Sequence, residues 1–213
     1  MRTSFSIRVL GLLLTAACSQ QAYADSGAIT PDSIHIQRCS ACHYVDGKSP
    51  GPEFPNIAGQ YEAYLNKALT QFKANKRESD AMELITSLHK QQELVILANY
   101  YAQQKPDTTP SITSPDLTLK AKGEQIYKAE RVYGIACVDC HGVDARGYVR
   151  KSPRTRATRA IPRLAGQKPA YLMAMMQKYS GDSVNHGMCA MRKAGKTLSQ
   201  NDVKALVEFL ASK

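Results

Sequence analysis

Two short cysteine motifs carry the residues of this sequence that are best placed to do chemistry. Both read Cys-x-x-Cys-His, as CSACH at residues 39–43 and as CVDCH at residues 137–141. This spacing is typical of c-type haem attachment, in which two thiols add to the haem vinyl groups and the next histidine gives an axial nitrogen to iron. The sequence therefore predicts two covalently bound haem c groups, one held by Cys39, Cys42 and His43 and the other by Cys137, Cys140 and His141.

Two other uses of the paired cysteines are open at this stage. A Cys-x-x-Cys pair can form a redox-active disulfide, and two such pairs can together hold a structural zinc ion. Each motif in this chain, however, is followed by its own copy of one downstream segment, which a single shared zinc site does not require. The haem interpretation is therefore preferred.

A haem iron held by one histidine needs a second axial ligand from further along the chain. Met82 lies 15 residues before Leu97, and Met191 lies 15 residues before Leu206, the matching position in the second half. Because a repeated fold places equivalent atoms in equivalent positions, this shared offset favours Met82 and Met191 as the sulfur ligands of the two irons. Met188 is a close competitor for the second iron, and a methionine in a core can also be a flexible filler.

Other histidines and two prolines bear on the same ligand sets. His35, His89 and His186 are alternative ligands that would give an iron two imidazoles. Pro55 and Pro162 follow the two motifs, and a backbone carbonyl at either proline could accept the axial imidazole N–H and fix its tautomer. A simple turn-forming role is compatible with both prolines.

The elements that must position these residues repeat along the chain. Residues 54–65 (FPNIAGQYEAYL) and 161–172 (IPRLAGQKPAYL) match in register at Pro, Ala, Gly, Gln, Ala, Tyr and Leu, and both lead into helical patterns. Each half then ends in an amphipathic helix with apolar spacing i, i+3, i+4, i+7. Strand signals are weak, so the sequence predicts an all-α protein of two tandem domains related by internal duplication. The apolar residues of the two terminal helices are Leu94, Leu97, Ala98 and Tyr101, and Val203, Leu206, Val207 and Leu210.

The amino terminus of the 213-residue chain has the pattern of a bacterial secretory signal. Arg2 and Arg8 precede an apolar run at residues 9–17, and AYA at residues 22–24 forms a cleavage site before Asp25. The apolar run is too short to cross a bilayer, which needs roughly 20 residues. Export to the periplasm follows from this pattern.

These signals divide the chain into four segments. We expect a signal peptide at residues 1–24, a first domain at 25–105, a linker containing proline and threonine at 106–119, and a second domain at 120–213. Lipidation at Cys18 is an alternative to cleavage after residue 24 and would attach the protein to the membrane surface. Among the cysteines of the second domain, Cys189 stands alone. We expect it to be a buried thiol, with intermolecular pairing as the alternative.

Positive charge is concentrated in the second half. Residues 25–105 contain eight basic and nine acidic residues, a net charge of −1, whereas residues 106–213 contain 18 and nine, a net charge of +9. Export makes nucleic acid an improbable partner. The excess is concentrated in one basic segment at residues 146–163, which predicts docking to an acidic redox partner or to a membrane surface. A solvated loop, or cations that offset the charge of the haem propionates, are the alternatives. The segment's seven cations, uninterrupted by an acid, are Arg146, Arg150, Lys151, Arg154, Arg156, Arg159 and Arg163.

Taken together, these motifs resemble the cytochrome c4 family, which are periplasmic diheme cytochromes c built from two class I cytochrome c domains. The resemblance rests on both haem motifs, both P-x-[IL]-A-G-Q segments, and Met82 and Met191 ahead of their terminal helices. It runs from about Pro31 to Ala211. It implies two haems near the domain interface with their propionates close together, and electron delivery to respiratory oxidases.

The expected function is electron transfer rather than bond chemistry. Histidine and methionine on both faces of each iron leave no open position for a substrate, and the sequence has no catalytic triad, phosphate loop or carboxylate cluster. The partner is expected to be a membrane-bound oxidase or dehydrogenase. The alternative is a cytochrome subunit of a periplasmic dehydrogenase complex, such as a flavin sulfide dehydrogenase or a quinoprotein dehydrogenase. A diheme peroxidase is disfavoured by chain length and by the methionine pair.

Overall fold

The computed structural model describes residues 33–129, 134–153, 158–181 and 189–213. Residues 1–32, which include the predicted signal segment, lie outside these ranges, as do the candidate residues His186, Met188, Arg154 and Arg156. Within the described ranges, no helix is both long enough and apolar enough to cross a membrane.

The described part of the first half, from residue 33 onward, contains four helices. Ser33 begins α1 by accepting a hydrogen bond from the backbone of Ile36, and Ser79 begins α3 in the same way from the backbone of Met82. The terminal helix of this half buries one face as predicted, because the four apolar residues named above for it, from Leu94 to Tyr101, are only 1–3% exposed. The helices are α1 Ile34–His43, α2 Glu62–Lys73, α3 Asp80–Ser87 and α4 Gln91–Gln103.

The second half repeats this arrangement with an additional helix and a hairpin. Ser199 and Asp202 form a capping box at the start of α9, whose apolar face is buried as predicted. Pro169 occupies the first turn of α7, where its missing N–H removes no helical hydrogen bond. The elements are α5 Leu117–Lys128, α6 Cys137–His141, β1 Tyr148–Lys151, β2 Thr158–Ile161, α7 Pro169–Ser180, α8 Cys189–Thr197 and α9 Gln200–Ala211.

The antiparallel pair β1–β2 departs from the expectation of weak strand signals. It forms in the arginine-rich segment between His141 and Pro162, which is nine residues longer than the segment between His43 and Pro55. Arg150 pairs directly with Arg159 across the two strands, and both side chains are exposed. Each strand has only four residues, so the alternation of apolar and polar residues that predicts a strand is too short to be recognised among the surrounding arginines.

Helix α5 packs closely against α9 at a glycine. A Cβ atom at Gly123 would collide with the backbone carbonyl of Ala205 and meet the Cβ of Phe209 at 2.8 Å. No glycine occupies α1, and its contact with α4 is more limited and centres on the fully buried Ile36. The two halves therefore join their first and last helices by different packing.

We expect Gly123→Ala to lower the free energy of unfolding by about 1–3 kcal/mol, because the added methyl group meets backbone that cannot move aside easily. On an isolated helix the same change would stabilise by about 1 kcal/mol, so the sign of the effect tests the packing. Denaturant unfolding measures it. Gln125→Ala, on the exposed face of the same helix, is the control and should change stability by less than about 0.5 kcal/mol. A stabilised Gly123→Ala protein would contradict the close packing.

The segment between α4 and α5 is tied to both halves. Gly59, at φ +60°, lies so close to Pro106 that a side chain there would collide with the proline ring. The Ser111 hydroxyl donates to the carbonyl of Gly166 at 2.6 Å, and the Ile112 N–H donates to the carbonyl of Ala211 at 3.1 Å. The connection is therefore held at both ends, despite a composition typical of a free linker.

Candidate functional site

The two Cys-x-x-Cys-His motifs occupy equivalent positions in the two halves. The first forms the last turns of α1, and the second forms the short helix α6. Both motif histidines end their helices and are buried, with 8% of His43 and 6% of His141 exposed. Each half thus places two cysteines and one buried imidazole on a single helical segment.

Each of these imidazoles bonds to a proline carbonyl, as the sequence predicted. The Nδ1–H of His43 donates to the carbonyl of Pro55 at 3.0 Å, and that of His141 donates to the carbonyl of Pro162 at 3.1 Å. Because a carbonyl can only accept, Nδ1 carries the proton and Nε2 of the neutral ring keeps its lone pair. Burial lowers the pKa of both imidazoles, although these hydrogen bonds act in the opposite direction. The lowered pKa favours the neutral ring that a metal requires.

The cysteines show neither of the alternative arrangements in the described part of the chain. No disulfide joins the four motif cysteines, and burial raises the pKa of the Cys39 thiol to about 11, which disfavours the thiolate that disulfide exchange requires. Among the described residues, no group of three or more His, Cys, Asp or Glu side chains is placed to hold a metal ion. The two motifs therefore do not converge on a shared zinc site.

A largely apolar cavity opens beside the second motif and extends to the other half. Cys137, Cys140 and His141 line it together with Met191 from α8. Buried leucines of α7 and α9 complete its wall, and residues of α2 reach it from the first half. The structure thus brings all four residues assigned to the second haem to one cavity.

The residues assigned to the first haem do not line this cavity. Cys39 and His43 face the interior of the first half, where Cys39 packs against the cluster around Ile36. Met82 is half-buried in the first turn of α3, and its N–H donates to the Ser79 hydroxyl at 3.4 Å. Its position on a helix whose equivalent in the second half is α8 agrees with the repeat that suggested it.

Two of the histidines considered as alternative ligands, His35 and His89, pack against each other. His89 is 2% exposed, and its Nδ1–H donates to the carbonyl of Ile85 at 2.8 Å. Its ring packs against that of His35, with centroids 5.2 Å apart. The two rings therefore contact each other, and the hydrogen bond to Ile85 fixes the ring of His89.

Cys189 corrects one expectation. It was expected to be a buried thiol, but it is exposed at the first position of α8, where an Arg192 nitrogen lies 3.5 Å from its sulfur. The helix turns this position outward, while Met191, two residues on, lines the cavity.

Two glutamines join the halves by reciprocal hydrogen bonds. The Gln167 side chain accepts from the N–H of Asn56 at 2.8 Å and donates to its carbonyl at 2.9 Å. The Gln60 side chain makes the same pair of bonds with Arg163, both at 3.1 Å. Both glutamines belong to the repeated segment, but the sequence pattern alone predicts no role for them. Their identity in both halves was the available signal.

A buried arginine at the interface was also missed. Arg77 is 5% exposed, and its guanidinium donates to the hydroxyls of Tyr64 and Tyr171 at 3.4 and 3.0 Å. Among the described residues, no carboxylate pairs with it. Nε of Arg163 is buried beside the same cavity without a hydrogen-bond partner.

These features fit a haem. The cavity offers an apolar wall for the ring, thiols for its vinyl groups, an imidazole and a thioether for iron, and two cations for anionic propionates. A buried cation needs a counter-charge, and the propionates of a haem would supply one. The donor set therefore matches haem c.

Comparison with known proteins agrees with this geometry. Residues 33–107 match the family model described as cytochrome c, and residues 120–210 match the one described as cytochrome C oxidase, cbb3-type, subunit III. Cytochrome c4 of Pseudomonas aeruginosa is 32% identical over 95% of this chain and 96% of its own length. The chain belongs to the cytochrome c4 family.

Two further relatives extend the comparison. The crystal structure of reduced recombinant cytochrome c4 from Pseudomonas stutzeri superposes with a TM-score of 0.66 at 28% identity, covering 83% of this chain and 94% of that one. A Stutzerimonas stutzeri protein named thiosulfate dehydrogenase electron acceptor is 24% identical over 96% of this chain and 90% of its own length. As a cytochrome c4 family member, the protein has two tandem class I cytochrome c domains, carries two covalently bound haem c groups and acts as a diheme electron carrier.

Proposed function

We propose that this protein carries electrons in the periplasm between redox partners, through two His/Met-ligated haems. Cys39 and Cys42 tether haem 1, which His43 and Met82 ligate. Haem 2 is tethered by Cys137 and Cys140 and ligated by His141 and Met191. The observation that best supports this proposal is the hydrogen bond from each motif histidine to a proline carbonyl, because it leaves Nε2 of His43 and His141 free for iron.

The protein residues in these sites hold and tune rather than react. Haem c, when bound, supplies a one-electron ferric/ferrous couple. The paired thiols fix the ring, the buried imidazole keeps its orientation through the proline carbonyl, and a thioether sulfur favours the ferrous state and raises the reduction potential. The apolar side chains that line the cavity of the second half would exclude water from an iron held there.

The basic hairpin is the proposed docking surface for an acidic partner. Arg150, Lys151 and Arg159 are exposed on β1 and β2, and Arg150 stands directly opposite Arg159. Like charges in such a cross-strand pair repel, so the pair favours an approaching anion. The Tyr61 hydroxyl of the first half donates to the carbonyls of Arg146 and Gly147 at 3.1 and 3.2 Å, which fixes the base of the hairpin against α2. We propose a membrane-bound terminal oxidase as the electron acceptor docking there.

Charge on the hairpin should act on association rate. We expect oxidation of the reduced protein by ferricyanide, an anionic probe, to slow as salt rises, because screening shortens the field to roughly 8 Å at 0.15 M ionic strength. The triple variant Arg150→Gln, Lys151→Gln, Arg159→Gln should flatten this salt dependence. Stopped-flow kinetics over a salt series measures the slope.

A charge-matched triple variant is the control for this experiment. Lys76→Gln, Lys105→Gln, Lys204→Gln removes the same charge from exposed positions outside the hairpin and should keep most of the slope. Equal slopes in the two triple variants would contradict the docking surface and leave only an effect of net charge.

A second candidate is an electron-accepting subunit of a periplasmic dehydrogenase. The similarity to the protein named thiosulfate dehydrogenase electron acceptor supports it, because the match spans almost the whole of both chains. Purification of the tagged protein from its native periplasm distinguishes the two roles. A subunit would arrive with a stoichiometric dehydrogenase, whereas a mobile carrier would arrive alone.

A further inference from the structure

In each half, the peptide group that follows the repeated proline makes two hydrogen bonds: its carbonyl accepts from the motif histidine, and its N–H donates to a glutamine of the other half. In the first half this is the Pro55–Asn56 peptide. Its carbonyl oxygen accepts from Nδ1–H of His43 at 3.0 Å, while its N–H donates to Oε1 of Gln167, in the other half, at 2.8 Å. A glutamine of the second domain is thus connected through one peptide group to the imidazole of the first.

The second half contains the mirror arrangement. The carbonyl of the Pro162–Arg163 peptide accepts from Nδ1–H of His141 at 3.1 Å. The N–H of the same peptide donates to Oε1 of Gln60, in the first half, at 3.1 Å. Both connections therefore cross the domain interface, in opposite senses.

The two glutamine side chains are held in the orientation that this requires. Their exposed fractions are only 6% for Gln60 and 7% for Gln167. Each Oε1 also accepts from the next backbone N–H of its own chain segment, at 3.1 Å from Tyr61 and 3.0 Å from Lys168. Each Nε2 donates to a carbonyl of the opposite half, so exchanging the oxygen and nitrogen would break every bond.

We propose that each glutamine is a positioning residue for the axial histidine of the opposite domain: Gln167 acts on His43, and Gln60 acts on His141. Hydrogen bonds in a chain polarise one another, so a peptide whose N–H is bonded is a stronger acceptor at its carbonyl. A stronger acceptor makes the imidazole more electron-donating, which stabilises ferric iron and lowers the reduction potential. This inference rests on the proposed ligation by His43 and His141.

The crossed arrangement gives a crossed test. Gln167→Leu should raise the reduction potential of haem 1 and leave that of haem 2 nearly unchanged. Gln60→Leu should raise the reduction potential of haem 2 and leave that of haem 1 nearly unchanged. A redox titration followed by NMR of the haem methyl resonances, assigned to each domain, measures both potentials. The Nδ1–H resonance of the histidine in the opposite domain should shift, and its exchange with solvent should quicken.

Tyr61→Phe is the matched control. It removes the hydroxyl that bonds to Arg146 and Gly147 across the same interface but keeps the Tyr61 backbone N–H that donates to Gln60, so both potentials should stay in place. Equal shifts at both haems in each glutamine variant, shifts at the haem of the glutamine's own domain, or no shift would each overturn the proposal. Failure of the proposed ligation would show separately, as oxidised native protein in which His43 and His141 give no hyperfine-shifted ring signals.

Discussion

Replacing Cys137 and Cys140 together with Ala should yield a protein with a single covalent haem. Both side chains lie on α6 and line the cavity of the second half, and the thioether bonds proposed for them would retain the haem there. The second half should also lose its cooperative unfolding transition, because the buried walls of α7 and α9 would face an unfilled interior. Mass spectrometry counts the haems, and denaturant unfolding followed by circular dichroism reports the transition.

The exposed Cys189 provides the control for this change. Cys189→Ala alters one thiol of the same half outside the motif, so the protein should keep two haems and its stability. Two covalent haems on the Cys137→Ala, Cys140→Ala protein from a host that matures c-type cytochromes would contradict the assignment of the second site.

Loss of a methionine ligand should have the next largest effect. Met82→Ala and Met191→Ala should each remove about half of the near-infrared sulfur-to-iron absorption of the oxidised protein, because each removes one of the two proposed sulfur ligands. Each should also lower one reduction potential by about 0.1–0.2 V, a fraction of the roughly 0.8 V over which axial ligands set haem potentials. Spectroelectrochemistry measures both quantities on the same sample.

Met173→Leu is the control for the ligand variants. Met173 packs against the core of the second half but does not line the cavity, so the absorption band and both potentials should persist. If Met188→Leu removes half of the band while Met191→Ala leaves it intact, the second sulfur ligand is Met188.

Local patterns predicted the helices and the histidine environment well. The apolar spacing of Leu94 and Leu97, and of Val203 and Leu206, identified the faces that the structure buries. The repeated proline segment predicted the hydrogen bond that fixes each motif histidine. These features depend on residues near one another in sequence, or on a motif that imposes one geometry.

Contacts between the halves could not be predicted in this way. Gln60 and Arg163 are 103 residues apart, and Arg77 and Tyr171 are 94 apart, so no helical or strand period relates them. The outward position of Cys189 depends on how α8 is rotated against its neighbours, which the composition around it does not fix. Pairing and rotation of this kind follow from tertiary packing.

The fixed connection between α4 and α5 has a consequence for a carrier of two electrons. Pro106 is fixed against Gly59 at one end, and Ser111 is bonded to Gly166 at the other. Tunnelling between two metal centres depends steeply on their separation, so a hinged pair would exchange electrons only in favourable orientations. A connection without a hinge makes that separation a constant of the fold. We therefore expect the two centres to equilibrate internally without waiting for domain rotation, so that a partner would meet one reservoir rather than two independent carriers.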